Sequence, residues 1–319
     1  MKKKSLNLVK TPRRRKKING IFILSKPSGM SSNQALQRVK RAFDAEKAGH
    51  TGSLDPMATG VLPICLGEAT KFSQYLLDAD KSYRSTFSLG IKTDTGDSDG
   101  EIVSIEDTNG VDFGKVQDAA EKFLGQIRQV PPMYSAIKRQ GTPLYKLARQ
   151  GIKVDREPRI VRIHKYQIER FIKKPTPKLD VDIRCSKGTY IRALAEDLGS
   201  MLGCGAHVSR LDRYAVGPFD ERDATSLGYL EKIEKTGNRE LLESLLCPVD
   251  AGINDYPKVN LDAAQMSDLT NGQSVLLSQC FITGQEADIV RVFDENQKFM
   301  GVAQITGDNS IKPKRLIAK

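Results

Sequence analysis

The sequence predicts an α+β fold: a mixed, mostly antiparallel central sheet flanked by helices, followed by a small β-rich module at the C-terminal end. Two observations predict it. Some segments show period-two alternation of apolar residues and others show helical spacing, yet the two never alternate in the regular strand–helix–strand rhythm of a parallel sheet. From about residue 251 the pattern changes to short apolar runs at 275–277, 289–292 and 299–305, separated by turn residues.

Taken in order, residues 1–18 carry nine Lys or Arg without periodicity and read as a flexible arm, which either meets a polyanion or merely keeps the chain soluble. Residues 20–24 read as a strand and Lys26 to Met30, KPSGM, as a turn. Ser32 is the expected N-cap of a helix whose residues Ala35, Leu36, Val39, Ala42 and Phe43 share one face. A buried strand is expected at 61–66, a helix at 68–77 and an alternating strand at 82–89, with Tyr83 near its start. A helix from about Asp112 should bury Val116, Ala119, Ala120, Phe123 and Leu124. Strands follow at 159–171 and 179–185, the second alternating inward through Leu179, Val181, Ile183 and Cys185. Residues 190–202 form an amphipathic helix through Ile191, Leu194, Leu198, Met201 and Leu202, ended by Gly203 and Gly205, with Arg192 off that stripe.

With 319 residues the chain can bury one large core and a smaller one. Its apolar runs are too short to span a bilayer, and the basic N-terminus lacks the apolar stretch of a secretory signal, so the cytoplasm is the expected location. Five scattered cysteines with no CxxC pair argue against disulfides and zinc, and the three histidines are equally dispersed. No metal or cofactor is expected. The net charge of +11 is local: residues 1–43 hold 13 Lys or Arg and no acid. A second basic patch runs over 138–165, including Lys138, Arg139, Lys146, Arg149 and Lys153. Two separated basic surfaces suit a folded RNA, although a charge run can equally be a solvated face.

The densest signal lies at 49–71, GHTGSLDPMATGVLPICLGEATK, which sets the carboxylate of Asp55 in a Gly- and Pro-rich turn between apolar stretches. Such an Asp can present itself to a substrate, or can simply bond its own backbone. A second acidic segment, TDTGDSDGEIVSIE, nearly reproduces a calcium loop through Thr95, Asp97, Asp99, Gly100 and Glu106. Thr stands where the first Asp ligand belongs and strand-like sequence flanks the loop, so a polar hairpin turn is expected instead.

The 49–71 run resembles the signature of the bacterial tRNA pseudouridine-55 synthases, the TruB family. Four further segments match that family in order: GIFILSKPSGMSSNQALQRVKR, DKSYRSTFSLGIKTDTGDSDGEI, PPMYSAIKRQGTPLYKLARQG and CSKGTYIRALAEDLGSMLGCGAHVSRLDRYAVGPF. The resemblance implies a pseudouridine synthase fold over residues 19–250, with an RNA-gripping insertion at about 127–157, and a PUA-like RNA-binding module over 251–319. It implies that Asp55 is the nucleophile, that Arg192 of GTYIR pairs with it, and that Tyr83 of KSYR stacks on the target base. Tyr190 and Leu211 would line the uridine pocket, although each reads equally as a core residue. His50 would meet the flipped nucleotide, and Lys26 would support the site or touch phosphate. The implied substrate is tRNA, met at its T stem-loop without an obligatory protein partner. A silent RNA-binding or tRNA-folding protein on the same scaffold is the alternative, and a guide-RNA-dependent synthase a third reading. Isomerisation needs an ionised carboxylate, which attacks either C1′ of the ribose or the pyrimidine ring, so a nearby cation is expected to lower the pKa of Asp55.

Overall fold

The computed structural model describes residues 17–173, 176–277, 281–283 and 288–318. The basic arm expected over 1–18 falls, through residue 16, outside the described residues. The core is an eleven-stranded sheet whose main path runs Thr225–Ser226, Gly20–Lys26, Thr59–Leu66, Ala206–Val216, Lys81–Leu89, Lys178–Cys185, Arg159–Ile172 and Gly125–Gln129. Along that path only the Thr225–Ser226 pairing and the contact of Thr59–Leu66 with Ala206–Val216 are parallel. The sheet is thus mixed and mostly antiparallel, as the patterning predicts. Its apolar face packs against the helices Ser32–Ala42, Phe113–Glu121 and Ile191–Met201 through residues such as Phe22, Leu62, Phe87, Ile183, Val39, Val116 and Leu194.

Local chemistry moves several expected boundaries. Ser31, not Ser32, caps the first helix, in a capping box with Gln34. The Ser32 hydroxyl is thereby free to bond elsewhere. The 68–77 segment begins as a 3-10 turn, Gly67–Phe72, and becomes α-helical only over Ser73–Asp78. Leu124 and Met201 were expected inside but are 48% and 50% exposed. Leu124 lies beyond the end of Phe113–Glu121 and no longer follows that helix's phase, whereas Met201 keeps the phase but, as the last residue of its helix, lies past Leu198 and Gly199, the last residues the helix buries.

A second, six-stranded sheet has the order Val275–Leu276, Ser310–Leu316, Phe299–Thr306, Ile289–Phe293, Lys258–Asn260, Phe281–Thr283. Val259, Leu269, Val290, Val292, Ala303 and Ile311 form its core. A separate cluster of Phe72, Ile253, Ile289, Phe293, Phe299 and Val302 joins it to the main body, where the Lys71 ammonium donates to the Leu316 carbonyl at 3.0 Å. Among the described residues no helix is long and apolar enough to cross a membrane.

Candidate active site

Asp55 sits in the loop that enters strand Thr59–Leu66, and that loop is braced from three sides. The Ser32 hydroxyl accepts from the Leu54 amide at 2.7 Å and donates to the Leu54 carbonyl at 2.9 Å. Lys26, 1% exposed, points its ammonium at the carbonyls of Pro27, Met30 and Pro56, at 2.9, 2.8 and 3.3 Å. It is therefore no solvated turn lysine. Burial, the largest influence, lowers its pKa to about 8, with Arg213 adding to the effect and Asp55 opposing it. From the third side Arg213, buried to 1% exposure, donates through Nε to the Val61 carbonyl at 2.9 Å and through Nη2 to the Gly52 carbonyl at 3.2 Å. Gly60 permits this approach: its φ is +106°, and a Cβ there would lie 2.3 Å from the Arg213 carbonyl oxygen.

From helix Ile191–Met201, Arg192 grips the carboxylate with two nitrogens, Nε to Oδ2 at 2.9 Å and Nη2 to Oδ1 at 3.1 Å. The guanidinium is fixed in turn by the Thr95 carbonyl on Nη1 and the Tyr134 carbonyl on Nη2, both at 2.7 Å. Although expected off the apolar stripe, its side chain is only 4% exposed, because it turns into this ring of acceptors rather than to solvent. Asp55 remains 34% accessible, so one member of the pair reaches solvent.

Asp97 completes the arrangement. Its Oδ2 lies 3.6 Å from Arg192 Nε, while its Oδ1 accepts from the Thr95 hydroxyl at 2.6 Å and the Asp99 amide at 3.1 Å. The calcium-like segment is indeed a hairpin turn, between strands Ile91–Thr93 and Ile102–Ile105, but it is not inert. It delivers a second buried carboxylate to the guanidinium. Sequence reasoning passed over Asp97, whose only signal was an acidic turn with no visible ligand.

Arg192 lowers the Asp55 pKa, as expected, but does not set its net direction. Burial, the largest influence, raises it, and Asp97 pushes the same way; Arg192 and Lys26 pull it down without prevailing. Arg192 therefore limits an elevation that burial would otherwise carry further.

Tyr83 lies on Lys81–Leu89, paired in register with Arg213 on one side and Ile183 on the other. Burial pushes its phenol up to about 12, against the opposing charge of Arg213, so it is neutral near pH 7. Leu211 is buried in the same core cluster as Tyr83. Tyr190 stands half-buried at the start of the Arg192 helix, and burial raises its pKa. His50 pairs with Ile64 beside the Asp55 loop; burial and then Arg213 lower its pKa, and its Nδ1 is buried without a partner. Lys138, Arg139, Lys146, Arg149 and Lys153 are all exposed on the segment between strands Gly125–Gln129 and Arg159–Ile172. That segment reaches the site through Tyr134. Among the described residues no three His, Cys, Asp or Glu gather as metal ligands would.

Residues 40–191 match the model of the TruB family pseudouridylate synthase N-terminal domain, 192–254 that of the tRNA pseudouridylate synthase B C-terminal domain, and 257–317 that of the pseudouridine synthase II TruB C-terminal domain. The tRNA pseudouridine synthase B of Saccharophagus degradans is 49% identical over 302 residues, 95% of this chain and 96% of that protein. That of Pseudomonas aeruginosa is 47% identical over 310 residues, 97% of this chain and 99% of its own. In fold, the chain is similar to a solved H/ACA ribonucleoprotein bound to a substrate RNA containing 2′-deoxyuridine, with a TM-score of 0.69, 21% identity and coverage of 94% of this chain and 85% of that one. With near-complete relatives at almost half identity and family models tiling most of its length, the chain belongs to the TruB family of pseudouridylate synthases.

Proposed function

We propose that this pseudouridine synthase acts on tRNA and isomerises uridine-55 of the T loop, with Asp55 as nucleophile. The observation that carries the reading is the two-point Asp55–Arg192 pair, in which a restrained carboxylate still reaches solvent. In the reaction the bond from N1 to C1′ breaks, the base turns, C5 bonds to C1′, the hydrogen of C5 leaves as a proton and N1 takes one up, so that substrate and product are isomers. Asp55 serves by attacking C1′ or the pyrimidine ring, and returns to the free carboxylate when the product forms. Arg192 and Asp97 hold its orientation. Tyr83, neutral, stacks on the base and is the proposed relay that carries away the proton leaving C5.

A folded T loop hides its target base, so extrusion costs a few kcal/mol, on the order of one lost base stack. Stacking on Tyr83 and contact with His50 offset part of it. Tyr190 and Leu211 wall the uridine pocket, and Lys26 holds the Asp55 turn from beneath. The exposed Lys138, Arg139, Lys146, Arg149 and Lys153 grip the phosphate backbone from the insertion at about 127–157, while residues 251–319 add a PUA-like RNA-binding module. Residues 19–250 would then be the catalytic domain. On this reading the enzyme works in the cytoplasm without a cofactor or an obligatory protein partner.

The test is tritium release from a tRNA transcript labelled at C5 of its uridines. Release of about one equivalent per tRNA by the native protein, abolished by Asp55→Asn, is the expected result. Tight binding with no release would favour a silent RNA chaperone on the same scaffold.

A further inference from the structure

One buried amide joins the root of the basic segment to the helix that carries Arg192. Gln129, 2% exposed, is the last residue of strand Gly125–Gln129 and pairs in register with Arg159, so the two close the mouth of segment 130–158. Its Nε2 donates to the Tyr190 carbonyl at 3.1 Å, and its Oε1 accepts the Tyr190 amide at 2.8 Å. A side chain thus imitates the double bond of a strand pair.

The place it does so is specific. Tyr190 is the N-cap of helix Ile191–Met201 and makes no side-chain capping bond of its own, so Gln129 fixes the helix entry in its stead. Farther along the same segment, the Tyr134 carbonyl accepts from Arg192 at 2.7 Å, and the Tyr134 hydroxyl donates to Asp94 at 3.0 Å. On the returning side, Arg156 donates to the Pro131 carbonyl at 3.1 Å. The segment and the Arg192 guanidinium are therefore held in register by Gln129 at the backbone and by Tyr134 at the side chain.

We infer that Gln129 is a positioning residue for isomerisation: it sets Tyr190 and Arg192 against the RNA-facing segment, so that gripping the tRNA and orienting the Asp55–Arg192 pair are one mechanical event. The inference rests on the function proposed above. An apolar residue would fill the same volume, but it would leave both backbone groups of Tyr190 without this partner.

The test compares the full-length native protein with Gln129→Met and Gln129→Glu, using tRNA tritiated at C5, single-turnover rates at saturating enzyme, filter binding and thermal melts. Gln129→Met should keep tRNA affinity within about twofold while its single-turnover rate falls by about tenfold, the kinetic size of losing one or two buried hydrogen bonds. Gln129→Glu keeps the acceptor but turns a second oxygen toward the Tyr190 carbonyl until the carboxyl is protonated. Its rate relative to the native enzyme should therefore rise as pH falls from about 8 to about 6, in the range where a buried Glu takes up its proton. A native rate in Gln129→Met, a fall in affinity equal to the fall in rate, a flat pH ratio in Gln129→Glu, or melting below the assay temperature would each overturn the inference. Native protein that releases no tritium would instead overturn the isomerisation reading, and the inference with it.

Discussion

Ser32 and Leu54 exchange two hydrogen bonds across 22 residues of chain, the serine hydroxyl donating to the carbonyl and accepting from the amide. The residue after Leu54 is the carboxylate on which the site is centred. Ser32→Ala should leave both Leu54 backbone groups buried and unpaired, lowering unfolding free energy by about 1–3 kcal/mol. Urea denaturation measures that loss. Single-turnover rate should fall with it, since the Asp55 loop loses one of its braces.

Asp55→Asn should leave tRNA affinity nearly intact and abolish turnover, because the amide keeps the shape of the loop while removing the nucleophilic oxygen. Filter binding beside tritium release separates the two. Equal losses in binding and activity would sink the nucleophile assignment.

Two variants should move the acid side of the pH–rate profile in opposite directions. Burial holds the Asp55 pKa above its usual value, so activity that needs the carboxylate is present above that raised pKa and is lost as pH falls through it. Arg192→Met removes the largest downward influence and should shift the acid limb to higher pH. Asp97→Asn removes a negative neighbour and should shift it lower, while slowing the reaction by loosening Arg192. Both limbs are measured as kcat/KM against pH.

Gly60→Ala should be destabilising by roughly 2–4 kcal/mol, since it adds strain at positive φ to a collision with backbone. The new Cβ would meet the Arg213 carbonyl oxygen at 2.3 Å, and backbone cannot swing aside as a flexible side chain would. Thermal and chemical denaturation give the value.

Replacing Lys138, Arg139, Lys146, Arg149 and Lys153 together by Gln should weaken tRNA binding and flatten its salt dependence. Each lost phosphate contact lowers the slope of log affinity against log salt by roughly 0.7–0.9. An unchanged slope would return these side chains to an ordinary solvated surface.

Much of this site is legible in the chain because its motifs are local. The turn around Asp55 and the start of the Arg192 helix each announce themselves within a few residues. What escapes is long-range. Ser32 reads as a helix cap, yet Ser31 takes that place and Ser32 serves the Asp55 loop. Asp97 reads as a hairpin acid because its partner Arg192 comes from a distant helix. The net direction of the Asp55 pKa escapes because a pairing can be inferred from a motif, whereas the burial that outweighs it belongs to the assembled fold.

The parallel contact between strands Thr59–Leu66 and Ala206–Val216 also orders events in time. Arg213 reaches the Gly52 carbonyl over 161 residues, and Arg192 reaches Asp55 over 137. On a translating ribosome Asp55 therefore emerges long before its brace and its counter-ion. The site, with Arg192 and Arg213 both in place, becomes complete only after two thirds of the protein has been made.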